Sequence, residues 1–261
     1  MLRHTFQHIP GLGEGRERAL WRRGIWSWDE LRADPHRSGL APALLADAQA
    51  ILQLSEEALG RGNLYFFSQL LPAREHWRLY GDFRETTAYL DVETGTLANG
   101  RQGITVVGVF DGQQFLSFIR GHNLHMLEEH LRRFDLLVTF NGKTFDLPLI
   151  ERDLGIPIYQ SQIDLRVFLQ RLGYHGGLKR IEREWGIIRE DGVAGLTGFD
   201  AVQLWERYRR GDAAALERLL AYNRADVVNL EVLLRQGYAL ARARVLATGH
   251  AEAGHPAQQE G

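Results

Sequence analysis

Three strand-like runs in the middle of the sequence constrain the fold most strongly. They lie at residues 86–93, 104–110 and 114–119, and the last two are joined by Asp111-Gly112, a strong hairpin signal. The segments that follow alternate as helix, short buried strand, helix and further strand, at residues 124–134, 136–140, 145–153 and 158–165. This order predicts an α/β fold whose mixed sheet carries helices on both faces.

The sequence before these strands predicts a small helical module at residues 1–70. A helix is expected at 14–23 and is stopped by Gly24. Ser27 and Glu30 form a capping-box pattern for the next helix. The strand-bearing domain is therefore expected to follow this module.

We assign the strand-bearing domain to residues 71–240. From residue 166 onward its chain is mostly helical, and the last helix is expected to run from about 212 to about 243. The terminal segment 241–261 ends that helix, and its small and polar residues 249–261 are expected to be disordered.

The absence of cysteine excludes disulfides, thiolate metal sites and cysteine nucleophiles, and it fits the reducing cytoplasm, where we expect the protein. No apolar run approaches the roughly 20 residues that a membrane span needs. Residues 1–15 lack the apolar core of a secretory signal. The net charge of −2 means that any affinity for nucleic acid has to come from local patches or metal ions.

The first strand carries two carboxylates, Asp91 and Glu93. Because side chains alternate along a strand, both acids point to one face, whereas Leu90 and Val92 point to the other. Neighbouring carboxylates repel each other unless water or a cation screens them. The pattern predicts either a solvent-exposed strand face or a metal site.

Two further acids lie at informative places. Asp146 stands five residues after Asn141, where a buried strand ends and a helix begins, the sheet edge at which α/β sites usually lie. Asp226 stands four residues after Tyr222 on the last helix, at the border of its apolar stripe, where an acid needs a partner or a metal. Taken alone, Asp146 is also explained as a helix cap and Asp226 as a surface-edge acid paired with Arg224 or a similar residue.

Together the three patterns resemble the motifs of DEDD exonucleases, which are Asp-x-Glu on a strand, Asn-x-x-x-Phe-Asp after a later strand and Tyr-x-x-x-Asp on a late helix. The stretch from about residue 71 to about residue 234 is similar in particular to the YprB-like ribonuclease-H-like exonuclease family. The residues that carry this narrower match are Leu71-Pro72, Trp77-Arg78-Leu79, Leu90-Asp91-Val92-Glu93, Gly177-Leu178-Lys179 and Tyr222-Asn223.

This resemblance implies a ribonuclease-H-like fold, with a mixed five-stranded sheet flanked by helices and a small helical N-terminal module. It implies a 3′→5′ exonuclease that uses two Mg²⁺ or Mn²⁺ ions on the 3′ end of single-stranded DNA or RNA. The expected metal ligands are Asp91, Glu93, Asp146 and Asp226, with Asp91 bridging both ions. Carboxylate oxygen is the ligand that such hard cations prefer.

The resemblance also indicates the subtype. One subtype has a histidine five residues before the last Asp, but this position is Ala221, and Tyr222 follows it. The chain therefore resembles the tyrosine subtype, in which Tyr222 would orient the attacking water. Packing of the ring, with its hydroxyl at the surface, is the alternative.

Four residues are expected to bind the substrate. By resemblance, Asn141 and the backbone around Thr94 and Gly95 would touch the terminal nucleotide. Lys143 is one of only two lysines, together with Lys179, and is expected to meet a phosphate. A solvated loop lysine is the alternative for Lys143.

The N-terminal module holds a second candidate contact with nucleic acid. Residues 9–13 resemble half of a helix-hairpin-helix element, whose backbone N–H groups bind phosphate, and several arginines follow. A plain helical packing module explains this turn equally well. For Trp21, Trp26 and Trp28, core packing is favoured over stacking on bases.

Two other patterns are discounted. Gly142-Lys143-Thr144 resembles the end of a P-loop, but that loop needs a glycine where the chain has Leu137. For His122, His125 and His130, surface positions are favoured over a zinc site, because no cysteine or acidic cluster stands at ligand spacing.

Two alternatives to the exonuclease are a non-catalytic nucleic-acid-binding scaffold domain and a structure-specific endonuclease on the same fold. The presence of all four carboxylates and of Tyr222 argues against loss of catalysis. The sequence leaves the choice between DNA and RNA open.

Overall fold

The computed structural model describes residues 1–253. The chain forms two compact units. One contains Met1–Arg84 and the part of the last helix from Tyr238 onward, and the other is Glu85–Gly237. The division into 1–70, 71–240 and 241–261 stays a prediction about domains.

The first unit is helical, as expected. Its helices are α1 (Glu14–Arg22), α2 (Trp28–Ala33), α3 (Pro42–Gly60) and α4 (Leu64–Leu70). Short 3₁₀ helices lie at Leu2–His4, Pro35–Ser38 and Ala73–Leu79, and another, Arg84–Thr86, lies at the boundary of the two units. The sequence did not predict α4, because seven residues are too few to show a helical period. Its start is fixed by Asn63, whose side chain accepts a hydrogen bond from the Phe66 N–H at 3.2 Å.

Local signals in this unit are confirmed. Ser27 and Glu30 form a capping box at the start of α2. Trp21 and Trp28 are buried, which confirms their expected role in core packing. Trp26 is half-buried and stacks on Trp21 with ring centroids 6.2 Å apart.

A buried ion-pair network holds the N-terminal segment in this unit. The Arg78 guanidinium donates to both carboxylate oxygens of Glu17, at 2.9 and 3.0 Å, and to Glu75 at 2.8 Å. Glu17 also accepts hydrogen bonds from the Phe6 N–H and the Gln7 side-chain amide, each at 2.7 Å. The Arg78 and Glu17 side chains are only 3% and 1% exposed, so each charge depends on the other for its solvation.

The second unit contains a mixed five-stranded sheet, which confirms the predicted fold class. Its strands are β1 (Thr87–Thr96), β2 (Gln102–Phe110), β3 (Phe115–Ile119), β4 (Leu136–Thr139) and β5 (Ser161–Asp164). They stand in the order β3-β2-β1-β4-β5. Pairing is antiparallel from β3 to β1 and parallel from β1 to β5. The carboxyl ends of β1, β4 and β5 therefore meet at one edge.

The Asp111-Gly112 hairpin forms as predicted. The Asp111 carboxylate accepts hydrogen bonds from the N–H groups of Gln113 and Gln114, at 2.8 and 2.7 Å. Gly112 has a φ of 92°, a value that glycine adopts without strain. The hairpin fixes β3 beside β2 and makes β3 an edge strand.

Helices cover both faces of the sheet. They are α5 (Leu127–Leu131), α6 (Asp146–Leu154), α7 (Leu165–Arg171), α8 (Leu178–Glu184), α9 (Gly198–Arg209) and α10 (Ala213–Ala253). The predicted helix at 124–134 is shorter than expected and begins as a 3₁₀ turn, Leu124–Met126. Leu90 and Val92 belong to the core that includes residues of α5 and α6, and Val106 belongs to the core that includes α9 and α10.

Helix α10 lies unusually close to the sheet at Gly108 on β2. A Cβ atom at that position would come within 2.1 Å of Asn223 Oδ1 and 2.9 Å of Val227. Only a residue without a side chain leaves room for the helix here. The close approach brings the carboxylate-bearing face of β1 next to α10.

The end of α10 differs from the prediction. The helix was expected to end near residue 243, but it continues to Ala253. The reason is that the alanine- and leucine-rich sequence after residue 238 favours a helix, and Gly249 costs only about 1 kcal/mol inside one. Disorder was predicted from residue 249, so it is wrong for 249–253, and residues 254–261 lie outside the described residues.

None of the described helices has both the length and the apolar character that a membrane span needs.

Replacing Arg78 by Met should destabilise the protein strongly, because Glu17 and Glu75 would lose their buried cation. Removing one partner of a buried ion pair typically costs about 3–5 kcal/mol in the free energy of unfolding. Urea unfolding measures this loss. Arg18→Ala is the matched control, since it breaks the exposed Arg18–Glu14 pair and should cost about 0–1 kcal/mol. Equal losses in the two variants would contradict a central role for Arg78.

Candidate metal centre

Three of the four predicted carboxylates meet in one cluster. Asp91 and Glu93 lie on β1 and Asp226 lies on α10, and one oxygen of each lies within 4.8 Å of the other two. Glu93 and Asp226 are buried, and Asp91 is half-buried. The pleat of β1 places the first two acids on one face, and the close approach of α10 brings the third to them.

Asp146, the fourth acid, lies beside this cluster and outside the group of three. It is the first residue of α6, directly after the turn that leaves β4, and it is buried. The backbone N–H of Val92 donates a hydrogen bond to its carboxylate, which ties α6 to β1. The negative charge of Asp146 raises the pKa of both Asp91 and Glu93, so the four acids form one electrostatic unit.

Burial raises the pKa of every acid in this unit, and repulsion from neighbouring carboxylates of the unit adds to this rise at Asp91 and Glu93. The pKa of Asp91 lies well above its usual range because of burial first and the charges of Glu93 and Asp226 next. Burial raises the pKa of Glu93 to about 8, and the Asp226 charge acts in the same direction. Burial also raises the pKa of Asp146 to about 7. The site therefore disfavours its own ionised form unless a positive charge offsets it.

Two adjacent residues of α10, Tyr222 and Asn223, contact acids of the cluster. The Asn223 side-chain amide donates to Asp91 Oδ2 at 3.0 Å, and this bond opposes the rise in the pKa of Asp91. Tyr222 is buried, and its hydroxyl donates to the Asp226 carboxylate. The adjacent residues of one helix thus contact two different acids of the cluster.

Lys179 on α8 completes the surroundings of Tyr222. Its ammonium donates to the Tyr222 hydroxyl at 3.0 Å and lies 4.5 Å from the centre of the ring. It also donates to the Leu196 carbonyl. Burial lowers the pKa of Lys179, and the charge of Asp226 opposes this change. Lys179 was assigned no role from the sequence, although the scarcity of lysine and its place in Gly177-Leu178-Lys179 were visible signals.

Arg189 is the second residue that sequence reasoning missed. Its guanidinium forms an ion pair with Asp226 Oδ1 and donates twice to Glu182 on α8, at 2.7 Å each. The sequence alternative that made Asp226 a surface acid is wrong, since Asp226 is buried, and its ion-pair partner is Arg189, whereas Arg224 is exposed. No motif marks Arg189, so the sequence offered no signal for this contact.

The four expected substrate-binding residues lie on the edges of the site. Thr94 and Gly95 follow Glu93 on β1, where a bulge shifts the register against β2. The indole of Trp205 packs against Gly95. Lys143 is exposed on the turn between β4 and α6. Their contact with a nucleotide stays a prediction.

Asn141 has the most constrained geometry of the four. Its φ of 67° lies in the left-handed region, which is rare for residues other than glycine. Its N–H donates to Asp164 at 2.9 Å, and its side-chain oxygen accepts from Arg166 at 2.9 Å. Because a guanidinium has only donors, the Asn141 oxygen must face Arg166, and the Asn141 NH₂ group points elsewhere.

The features that the sequence analysis discounted take no part in this cluster. His122 contacts the Tyr208 hydroxyl at 2.7 Å, and His130 packs between Phe118 and Phe134. Among the described residues, the only group with ligand atoms close enough to hold a metal is Asp91, Glu93 and Asp226. In the N-terminal module, Arg16 donates to the Gly11 carbonyl at 2.5 Å, and phosphate binding by that turn stays a prediction.

The donor set fits a divalent cation. All of its members are carboxylates, which are the oxygen ligands that Mg²⁺ and Mn²⁺ prefer. Glu93 Oε1 is buried and accepts no hydrogen bond from any residue that the structure describes. An unpaired buried carboxylate oxygen is costly, and a cation would satisfy it.

A family model of the RNase_H superfamily matches residues 88–237, which contain all four acids and Tyr222. The chain belongs to the RNase_H superfamily, and its ribonuclease-H-like fold is confirmed. Among curated proteins, none matches this sequence. Among solved structures, the family B DNA polymerase of the hyperthermophilic archaeon Pyrobaculum calidifontis matches with 15% identity and a TM-score of 0.43. That match covers 65% of this chain and 27% of the polymerase chain.

The raised pKa of Glu93 predicts how the metal-free protein responds to pH. In the unfolded chain Glu93 ionises near its usual pKa of 4.5, but in the folded protein it does so near 8. Stability contributed by this group is therefore lost as the pH rises from about 4.5 to about 8. Glu93→Gln removes the titration, so its melting temperature relative to wild type should increase across that range.

Melting curves in EDTA at several pH values measure this difference, and Glu128→Gln on the exposed surface is a matched control. A constant difference between Glu93→Gln and wild type from pH 4.5 to 8 would contradict the electrostatic account of the cluster.

Proposed function

We propose that the protein is a divalent-metal-dependent 3′→5′ exonuclease that hydrolyses phosphodiester bonds of single-stranded nucleic acid, in the YprB-like branch of the superfamily. The observation that carries this proposal is the gathering of Asp91, Glu93 and Asp226 beside Asp146 and Tyr222. These five residues come from three separate sequence patterns. Their convergence on one site supports catalysis over a scaffold role.

The four acids would hold two Mg²⁺ or Mn²⁺ ions. By the family resemblance, Asp91 would be shared by the two ions, with Glu93 and Asp226 holding the first and Asp146 the second. Bound cations of this kind acidify an attacking water and offset the negative charge that develops on the phosphate. The protein's own contribution is to keep the carboxylates close together and out of bulk water.

Tyr222 would position the attacking water and would not remove its proton. Burial raises the pKa of the phenol, and the neighbouring Asp226 charge raises it further, so the hydroxyl stays protonated at neutral pH. The hydroxyl is held by a donor, Lys179, and an acceptor, Asp226. A hydroxyl fixed in this way has a defined direction for its remaining lone pair.

The substrate would reach the site along the edge that carries Asn141 and Lys143. The Asn141 NH₂ group, left over after its oxygen has paired with Arg166, is a suitable donor to the terminal nucleotide. Lys143 would meet a phosphate, and the backbone around Thr94 and Gly95 would contact the sugar or base. The net charge of −2 makes such local contacts necessary, because bulk attraction to nucleic acid is missing.

The direct test uses linear DNA and RNA strands labelled at either end, with Mg²⁺ or Mn²⁺, beside circular single-stranded DNA. An exonuclease acting from the 3′ end should release a 3′ label at once, shorten a 5′-labelled strand in steps and leave the circle intact. Cleavage of the circle would indicate an endonuclease, and binding without cleavage would indicate a scaffold domain.

Asp91→Asn is the matched control for that assay and should abolish hydrolysis, because the proposed bridging carboxylate is replaced by a neutral amide of the same size. Circular dichroism should show an unchanged fold. Activity within about tenfold of wild type, only about 1.4 kcal/mol in activation free energy, would contradict the metal assignment.

Replacing Tyr222 by Phe keeps the ring and removes the hydroxyl. If Tyr222 positions water, kcat should fall by about 10–1000-fold, the scale of losing one positioning group, while KM changes little. Tyr208→Phe on α9 is the matched control, since that hydroxyl contacts His122 and none of the four acids. An unchanged kcat in Tyr222→Phe would show that the tyrosine only packs.

A further inference from the structure

Arg189 is a buried cation in direct contact with one of the proposed metal ligands. Its side chain is 4% exposed, and its ion-pair partners Glu182 and Asp226 are 2% and 9% exposed. A buried arginine is costly unless its donors are paired with good geometry. Arg189 Nη1 has no hydrogen-bond partner among the described residues, so the buried charge of Arg189 is offset by its ion pairs with Glu182 and Asp226.

Glu182 fixes the orientation of this guanidinium. Arg189 Nε donates to Glu182 Oε2 and Nη2 donates to Oε1, each at 2.7 Å, so the two groups form a fork of two bonds. Glu182 Oε1 also accepts from the Asn229 side-chain amide at 2.9 Å, which ties it to α10. With its plane set by Glu182, Arg189 presents Nη2 to Asp226 Oδ1 from a fixed direction.

This arrangement restricts how Asp226 can bind a cation. Asp226 contributes one oxygen to the cluster with Asp91 and Glu93, and its Oδ1 atom forms an ion pair with Arg189. A carboxylate held by a guanidinium in this way is hindered from placing both oxygens on one ion. Ca²⁺ accepts two oxygens of one carboxylate in a flexible shell of 6–8 ligands, whereas Mg²⁺ requires a nearly octahedral shell.

We propose that Arg189, held by Glu182, is a positioning residue that keeps Asp226 as a one-oxygen ligand and so makes the acidic cluster favour Mg²⁺ and Mn²⁺ over Ca²⁺. The inference rests on the proposed function in one respect, the assignment of Asp226 as a metal ligand. The positioning role proposed for Arg189 differs from a role as a mere counter-charge for Asp226. Removing a mere counter-charge would tighten cation binding, whereas removing a positioning group weakens it.

Electron paramagnetic resonance measures Mn²⁺ binding to the purified full chain. It distinguishes these two roles without any measurement of activity. In Arg189→Lys the positive charge stays and the fork is lost, so the Kd for Mn²⁺ should rise by about 10–100-fold, the usual effect of losing a partner of a metal ligand. In competition experiments, the affinity of the variant for Ca²⁺ should rise relative to its affinity for Mg²⁺. Arg224→Lys, on the exposed face of α10, should bind all three ions like wild type.

Because a lysine in this buried place could prevent folding, the double variant Glu182→Gln with Arg189→Met provides a second measurement. It removes the charges of Glu182 and Arg189 together, which proteins tolerate better than removal of one partner of a buried pair. It should show the same weaker Mn²⁺ binding and the same gain of Ca²⁺ over Mg²⁺.

Two results would overturn the proposal: wild-type affinity and ion preference in Arg189→Lys, or tighter Mn²⁺ binding in the double variant. Asp226→Asn distinguishes this failure from failure of the proposed function. If Asp226→Asn loses Mn²⁺ but the Arg189 variants do not, only the positioning role is wrong. If Asp226→Asn binds Mn²⁺ like wild type, or wild type itself binds none, the metal assignment is wrong as well.

Discussion

Repulsion among buried carboxylates is the interaction that the rest of the second unit has to offset. Asp91, Glu93 and Asp226 lie within 4.8 Å of one another, and Asp146 adds its charge at their side. Such a cluster opposes folding unless cations or donors surround it, because each ionised group disfavours the next. The site is thus held together by the packing around it and by the groups that offset its charge.

The fold provides that packing on both faces of the sheet at β1. The hydrophobic face of β1, which includes Leu90 and Val92, is part of the core with α5 and α6, and this leaves the opposite face for the acids. On that face, Gly108 of β2 lets α10 come near enough for Asn223 to reach Asp91. A larger residue at position 108 would displace the amide from the carboxylate. The acids are therefore positioned by residues that carry no charge.

The groups that offset the negative charge of the cluster are of three kinds: a neutral amide, an ammonium and a guanidinium. Asn223 donates a neutral hydrogen bond to Asp91, Lys179 places an ammonium against the Tyr222 hydroxyl, and Arg189 forms an ion pair with Asp226. The protein itself thus offsets part of the charge of the cluster. Glu93 Oε1 has no hydrogen-bond partner among the described residues, and Asp226 Oδ1 has only its ion pair with Arg189. These oxygens can still accept a ligand from solution, as a cation site requires.

The sequence by itself determined the order and type of most elements, the hairpin at Asp111-Gly112, the shared face of Asp91 and Glu93 and the edge position of Asp146. Strand alternation, helix periodicity and turn chemistry are local, so they can be read from neighbouring residues. Only the tertiary structure decided which distant groups meet. Lys179 and Tyr222 are 43 residues apart, Glu182 and Asn229 are 47 apart, and Asn223 and Asp91 are 132 apart. No local pattern specifies such contacts, because they depend on how α8 and α10 pack on the sheet.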